Sequence, residues 1–226
     1  MRTPLPPGRK SILCYVTDRR ALQNARAASG EIAGPSQNAF HEVIGKAAAA
    51  GVDWIHIREK DLAGHALAAL VRLAVAETRG AGTRILVNDR LDVALAAGAQ
   101  GIHLGEMSLP LDAVAGWRRS AGKEFQIGVS CHSLEAARAA GRGGADYIFF
   151  GPVFATPSKA AFGLPQGIER LREVCGSVEI PVLAIGGVTL ENAASCIAAG
   201  AAGIAAIRLF QENENLTASI ARLREI

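Results

Sequence analysis

The feature that most constrains this chain is an alternation. Eight short apolar runs, at residues 12–17, 54–57, 85–87, 101–104, 126–129, 147–150, 182–185 and 203–207, are rich in β-branched or aromatic residues and read as strands. Alanine- and leucine-rich segments at helical spacing separate and follow them, at 39–50, 64–79, 91–97, 109–119, 134–142, 168–175, 190–199 and 216–226. Unbroken strand–helix alternation implies parallel strands joined by right-handed crossovers. A weak repeat goes further. Ala50-Gly-Val-Asp-Trp-Ile-His-Ile57 resembles Ala97-Gly-Ala-Gln-Gly-Ile-His-Leu104, Gly143-Gly-Ala-Asp-Tyr-Ile-Phe-Phe150 and Ala199-Gly-Ala-Ala-Gly-Ile-Ala-Ala206. Each copy is a helix end closed by glycine, then a strand. The copies precede strands 2, 4, 6 and 8, as a quasi-symmetric eightfold barrel would show; an open sheet explains this less readily. Ala-Gly-Ala is also common wherever helices meet strands, so the repeat supports the barrel without standing alone. The reading is a single (β/α)8 TIM barrel over residues 1–226, with 1–10 a flexible N-terminal extension.

Composition removes several functional classes. Half of the 226 residues are hydrophobic and the mean hydropathy is +0.21, which excludes wholesale disorder. Lys plus Arg is 24 against 21 Asp plus Glu, a net +3. That excess is too small to point to nucleic acid or a membrane surface. No apolar run has the length of a membrane span. Residues 1–10 carry Arg2, Arg9 and Lys10 around no apolar stretch, so they do not read as a signal peptide. Cys14, Cys131, Cys175 and Cys196 are scattered, without paired metal-site spacing, and read as reduced thiols in a cytoplasmic protein.

In such a barrel, chemistry sits where the strands end. Strand 2 ends in His56-Ile-Arg58-Glu-Lys60, and alternation puts His56, Arg58 and Lys60 on one face. Two cations and an imidazole suit a polyanion such as pyrophosphate; a turn salt-bridged to Glu59 and Asp61 is the plainer reading. Asn88 and Asp89 follow strand 3. Asp89 is a candidate Mg²⁺ ligand, and either residue is equally a helix cap. His103 on strand 4 reads first as a core histidine. Ser130, after strand 5, can donate to a phosphate. Neither Ser130 nor Cys131 has an acid placed by sequence to complete a nucleophilic triad. The loop from Pro152 to Pro165 holds Thr156, Ser158 and Lys159 and is a candidate lid or phosphate wrap. Gly186 and Gly187 after strand 7, with Ile207 and Arg208 after strand 8, form the most specific physical signal, a backbone phosphate site. Two anion-binding regions predict small substrates carrying phosphate and pyrophosphate.

These motifs, taken together, are familiar. Tyr15-Val-Thr-Asp18, His56-Ile-Arg-Glu-Lys60, Asn88-Asp-Arg90, His103-Leu-Gly105, Gly128-Val-Ser130, Gly151-Pro-Val-Phe-Ala-Thr156 and Ile185-Gly-Gly187 resemble the thiamine-phosphate synthase superfamily. The resemblance implies one of two activities. The synthase joins a hydroxymethylpyrimidine pyrophosphate to a thiazole phosphate and releases pyrophosphate. The related thiazole tautomerase isomerises the thiazole phosphate without a metal. Carried over, Arg58, Lys60 and Lys159 hold the pyrophosphate, Asn88 meets the pyrimidine, and Asp89 ligates Mg²⁺. Ser130, Thr156 and Ser158 contact pyrophosphate or substrate, while Gly186, Gly187, Ile207 and Arg208 bind the thiazole phosphate. The resemblance also implies a homodimer. Two departures stand out: His56 replaces the usual Gln, and Ser108 replaces a second metal-binding Asp. Both favour the tautomerase, with His56 as proton shuttle, or a paralogue that binds without catalysis. Pro152 argues the other way, because it stands where the tautomerase has its catalytic His. Asp89, Lys159 and the hydroxyls of the strand 6 loop tip the balance to the synthase.

Overall fold

The structure is a computed structural model that describes residues 11–28, 36–156 and 164–226. The segment 1–10 expected to extend from the barrel lies outside the described residues. Eight parallel strands close a barrel in chain order: β1 (Ile12–Val16), β2 (Trp54–Ile57), β3 (Arg84–Asn88), β4 (Gly101–Leu104), β5 (Gln126–Cys131), β6 (Tyr147–Phe150), β7 (Val182–Ile185) and β8 (Gly203–Ala206). β1 pairs with β8 in register Cys14 with Ala205, which completes the ring. The helices are α1 (Arg19–Ala28), α2 (Ser36–Ala49), α3 (Gly64–Glu77), α4 (Leu91–Ala97), α5 (Leu111–Ala121), α6 (Leu134–Gly143), α7 (Gly167–Ser177), α8 (Ala193–Ala198), α9 (Arg208–Gln211) and α10 (Leu216–Glu225).

The strands are apolar on both faces because both faces are covered. Outward residues such as Ile55, Val87, Ile102 and Ile148 pack under the helices. Inward residues Ile12, Cys14, Trp54, Leu86, Tyr147, Phe149 and Leu183 fill the bore. Large inward rings are matched by inward glycines. A Cβ on Gly128 would lie 2.0 Å from the Tyr147 ring, so the ring can cross the bore only over a glycine. The repeat glycines carry a second role. Gly51, Gly98, Gly144 and Gly200 all adopt positive φ (94°, 74°, 95° and 97°), the left-handed turn that delivers the chain into β2, β4, β6 and β8.

The stretch 19–37, which the strand–helix alternation leaves unassigned, contains α1 and the start of α2. Asp18 starts α1, its carboxylate accepting from the Ala21 N–H at 3.0 Å. The helix α9 directly after β8 was also not anticipated. At the base, Asp53 accepts from Leu13 N (2.7 Å) and from Arg224 (2.8 Å), which clips α10 across the bottom of the barrel. No described helix is long and apolar enough to cross a membrane.

Candidate active site at the barrel mouth

His56, Asn88, His103 and Ser130 come from four adjacent strands, β2 to β5, and face the bore just below the mouth. Register pairs Asn88 with His103, and His103 with Gly128. Arg58 continues the inward face of β2 to the rim, where it is partly exposed, and Lys60 beyond it is exposed. Their loop is braced from β1. The Arg58 N–H donates to Thr17 Oγ1 at 3.0 Å, and that hydroxyl donates to Glu59 at 2.6 Å. Glu59 also accepts from the Arg19 N–H (3.1 Å). Burial is the largest influence on Glu59 and raises its pKa. Asp61 is engaged by Arg19 (2.5 Å) and Arg20 (3.1 Å). The acids beside Arg58 therefore turn towards α1, and among the described residues the Arg58 guanidinium has no carboxylate partner. This is the opposite of a neutralised surface turn, and it leaves a cation presented at the mouth.

Two buried histidines form the floor below. The His103 ring nitrogens meet Tyr147 Oη (Nδ1, 3.0 Å) and Ser130 Oγ (Nε2, 2.9 Å). Burial, reinforced by Arg58, pushes the His103 pKa down to about 3. His56 packs against His103 with ring centroids 4.7 Å apart. Burial, then His103 and Arg58, hold its pKa well below the usual histidine value, with Asn88 beside it pulling weakly the other way. Among the described residues, neither His56 nitrogen reaches a formed hydrogen bond. The floor is thus polar but uncharged. Burial disfavours the charged form of both imidazoles.

Asp89 sits at φ 66°, the only non-glycine positive φ among the described residues, with its N–H donating to the His103 carbonyl at 2.9 Å. It does not cap α4. The capping position is Arg90, with no side-chain cap bond, and Arg90 pairs with Asp92 at 2.6 Å. The helix-cap reading of Asn88 and Asp89 therefore falls away. A strained backbone that places a carboxylate at the rim points to function. Ser108 Oγ accepts from the Gly105 N–H at 2.7 Å and ties its own loop. Among the described residues, no three His, Cys, Asp or Glu side chains converge as a metal-binding group.

Across the mouth the construction changes. Gly186 and Gly187 have φ of 91° and 67°. The loop after β6 runs alongside them, with Val153 N donating to Ile185 O (2.9 Å) and Phe154 N to Gly186 O (3.0 Å). A Cβ on Gly186 would lie 2.6 Å from Pro152, and one on Gly187 2.6 Å from the Ala155 carbonyl. Asn192 holds the bend, donating to Gly187 O (2.9 Å) and accepting from Thr189 N (2.8 Å). Ile207 precedes the four-residue α9, which opens at the same rim with the exposed Arg208. In TIM barrels the loops after strands 7 and 8, with the start of a short extra helix, frequently bind phosphate. Thr156 lies half-buried in the β6 loop, and Ser158 and Lys159 fall outside the described residues. Sequence reasoning did not single out Thr17, Glu59 or Tyr147 as site residues. A buried hydroxyl, acid or phenol at a strand end was the signal that could have found them.

The chain matches the profile of the TMP-TENI family, thiamine monophosphate synthase, over residues 29–210. It belongs to that family. A putative thiamine-phosphate synthase of Geobacter sulfurreducens is 49% identical over 165 residues, covering 73% of this chain and 76% of the relative. The thiamine-phosphate synthase of Roseiflexus castenholzii is 41% identical over 204 residues, covering 90% and 82%. Among solved structures, the thiamine phosphate pyrophosphorylase of Pyrococcus furiosus superposes with a TM-score of 0.76 at 31% identity, covering 96% of this chain and 95% of that one. A 3-hexulose-6-phosphate synthase, 17% identical with a TM-score of 0.64 and covering 84% and 93%, shares the fold.

Proposed function

We propose that this chain works as a thiamine-phosphate synthase, a transferase joining hydroxymethylpyrimidine pyrophosphate to thiazole phosphate. The observation that carries the reading is the juxtaposition at one mouth of an unneutralised Arg58, a strained Asp89 and the Gly186–Gly187 bend beside α9. Arg58 and Lys60 hold the pyrophosphate, with Lys159, Ser158 and Thr156 joining from the β6 loop and Ser130 from β5. Asn88 and the neutral His56 face the pyrimidine end. Backbone N–H groups near Gly186, Gly187, Ile207 and Arg208, with the Arg208 side chain, take the thiazole phosphate. In this reaction the bond to pyrophosphate breaks and the pyrimidine-methyl carbon bonds to the thiazole nitrogen. Cations fixed around the departing pyrophosphate stabilise the charge that develops there. Holding both partners over one floor removes most of the entropic barrier to their meeting. No strong base is needed, which agrees with two histidines held neutral.

Mg²⁺ fits this site in one way. It keeps several waters and binds through one or two carboxylates plus substrate phosphates, so Asp89 would hold it with pyrophosphate oxygens completing the shell. Its contribution when bound is neutralisation of pyrophosphate charge. All four cysteines are unpaired thiols, in keeping with a reducing cytoplasm. The test is synthesis itself: the purified protein with both substrates and Mg²⁺ should release pyrophosphate and form thiamine phosphate, and EDTA should stop it. No product, under conditions where the Pyrococcus furiosus relative turns over, overturns the reading. EDTA-resistant isomerisation of thiazole phosphate would put the tautomerase in its place, and binding of thiazole phosphate without turnover would leave a ligand-binding paralogue.

A further inference from the structure

A chain of hydrogen bonds runs from the bore to the mouth across three adjacent strands. Tyr147 Oη on β6 meets His103 Nδ1 on β4 at 3.0 Å, and His103 Nε2 meets Ser130 Oγ on β5 at 2.9 Å. Contact between β4 and β6 side chains follows the layering of the bore, where inward residues of alternate strands meet. Here it is built in: register places Gly128 of β5 directly between His103 and Tyr147. A Cβ there would lie 2.3 Å from Tyr147 Oη.

The two ways of placing the protons are not equivalent. If Ser130 donates to His103, then Nδ1–H donates to Tyr147, and the phenol proton needs an acceptor elsewhere. Tyr147 is fully buried, and among the described residues its hydroxyl has no hydrogen-bond partner except His103. The neighbouring Cys14 thiol is only a weak acceptor. A buried hydroxyl proton left without a partner carries its whole desolvation penalty. In the other direction every group is satisfied: Tyr147 donates to Nδ1, Nε2–H donates to Ser130, and the Ser130 proton is left facing the mouth. We infer that the chain has this single direction, so that Tyr147 and His103 are positioning residues which make Ser130 a committed donor to an anionic substrate oxygen. No proton is transferred along it; the chain fixes which atom carries one. Both directions need a neutral His103, which its burial favours; they differ only in the tautomer.

The inference rests on the synthase reading for its kinetic consequence but not for its geometry, and the tests separate the two. Nitrogen-15 NMR of the full chain without substrate, at pH 6 to 8, should show His103 protonated on Nε2 and bare on Nδ1. The reverse tautomer overturns the inference whatever the enzyme does. In the synthase assay, Tyr147→Phe and Ser130→Ala should each lower kcat/KM for the pyrophosphate substrate by about 10- to 150-fold, the scale of one hydrogen bond to a charged group. The KM for thiazole phosphate should not move. The double variant should be no worse than Ser130→Ala within about twofold, because both changes remove one donor. Multiplying losses, or a Tyr147→Phe protein that melts earlier with unchanged kinetics, overturns the positioning role. Should the chain prove not to be a synthase, calorimetry with inorganic pyrophosphate replaces the assay with the same expected ratios. Should Tyr147→Phe fail to fold, the wild-type NMR result decides.

Discussion

The two arcs of the mouth are made of different material. The β7–β8 arc is backbone: two glycines in left-handed conformations, a carbonyl pinned by Asn192, and the opening turn of α9. The β2–β5 arc is side chain: Arg58, Asn88, Asp89 and Ser130, over a neutral floor of His56 and His103. Backbone donors lose no rotamer freedom on binding and keep their direction whatever the neighbouring side chains are. They suit a ligand group that only has to be held. Side chains can be braced, desolvated and charged one by one, and Arg58 is braced through Thr17 and Glu59. They suit the group whose charge changes during reaction. The first arc is sensitive to what is added to it, the second to what is taken away.

The largest effect should therefore come from removal on the side-chain arc. Arg58→Ala is expected to reduce kcat/KM by about 10²- to 10³-fold, comparable to losing a donor at a developing anion. Because Arg58 has no carboxylate partner to orphan among the described residues, the melting temperature of Arg58→Ala should stay close to wild type. Arg58→Lys keeps the charge but loses the forked geometry, and should recover only part of the loss. A rate in Arg58→Ala within tenfold of wild type would place the pyrophosphate elsewhere on the rim.

On the backbone arc the matching experiment is an addition. Gly187→Ala puts a Cβ 2.6 Å from the Ala155 carbonyl, at a φ of 67°. The carbonyl must move, and with it the loop after β6. The expected result is a KM for thiazole phosphate raised about 10- to 100-fold, with about 1–3 kcal/mol of stability lost to backbone strain. Should the KM for the pyrophosphate substrate rise instead, the two arcs have been assigned the wrong way round.

How far the sequence carried depended on the same distinction. The barrel was legible because its signals are local: a short apolar run, a helical run, and a glycine before every second strand, where Gly51, Gly98, Gly144 and Gly200 do adopt the left-handed turn. The rim residues were legible because chemistry collects at strand ends. What adjacency along the chain could not show was pairing across the bore. Glu59 reads from sequence as the partner of its neighbours Arg58 and Lys60, yet it holds Thr17 and Arg19, about 40 residues away. His103 reads as a core histidine, and it is one; its contact with Tyr147 depends on Gly128 on the strand between. α1 was missed because its starting signal is one Asp18 carboxylate in a polar stretch that lacks a long apolar stripe.

A smaller effect follows from the neutral floor. His56 and His103 take up protons less readily folded than unfolded, so below pH 6.5 the unfolded chain binds more protons, for His103 down to about pH 3. Stability contributed by these two groups is intact above pH 6.5 and is lost as the pH falls below it. Each histidine adds up to about 1.4 kcal/mol per pH unit to that loss. Denaturant titrations from pH 7.5 to 5 should show the decline, and His103→Asn should make it shallower. The β7–β8 arc holds no comparable group, so Gly187→Ala should lower the whole curve without changing its slope.

The smallest expected change is also an addition, but to the side-chain arc. Ser108 Oγ already accepts from the Gly105 N–H at 2.7 Å, and an aspartate at that position keeps an acceptor for the same turn. Ser108→Asp should leave the fold intact and bring a second carboxylate to the rim that holds Asp89. If Asp89 and substrate oxygens alone complete the Mg²⁺ shell, the concentration of Mg²⁺ giving half-maximal rate should fall about 3- to 10-fold while kcat stays within about twofold. A large rise in kcat would mean that the natural enzyme is limited by a deficient metal site. No shift in Mg²⁺ dependence would mean that position 108 does not face the metal, and that one carboxylate is the whole of the protein's contribution.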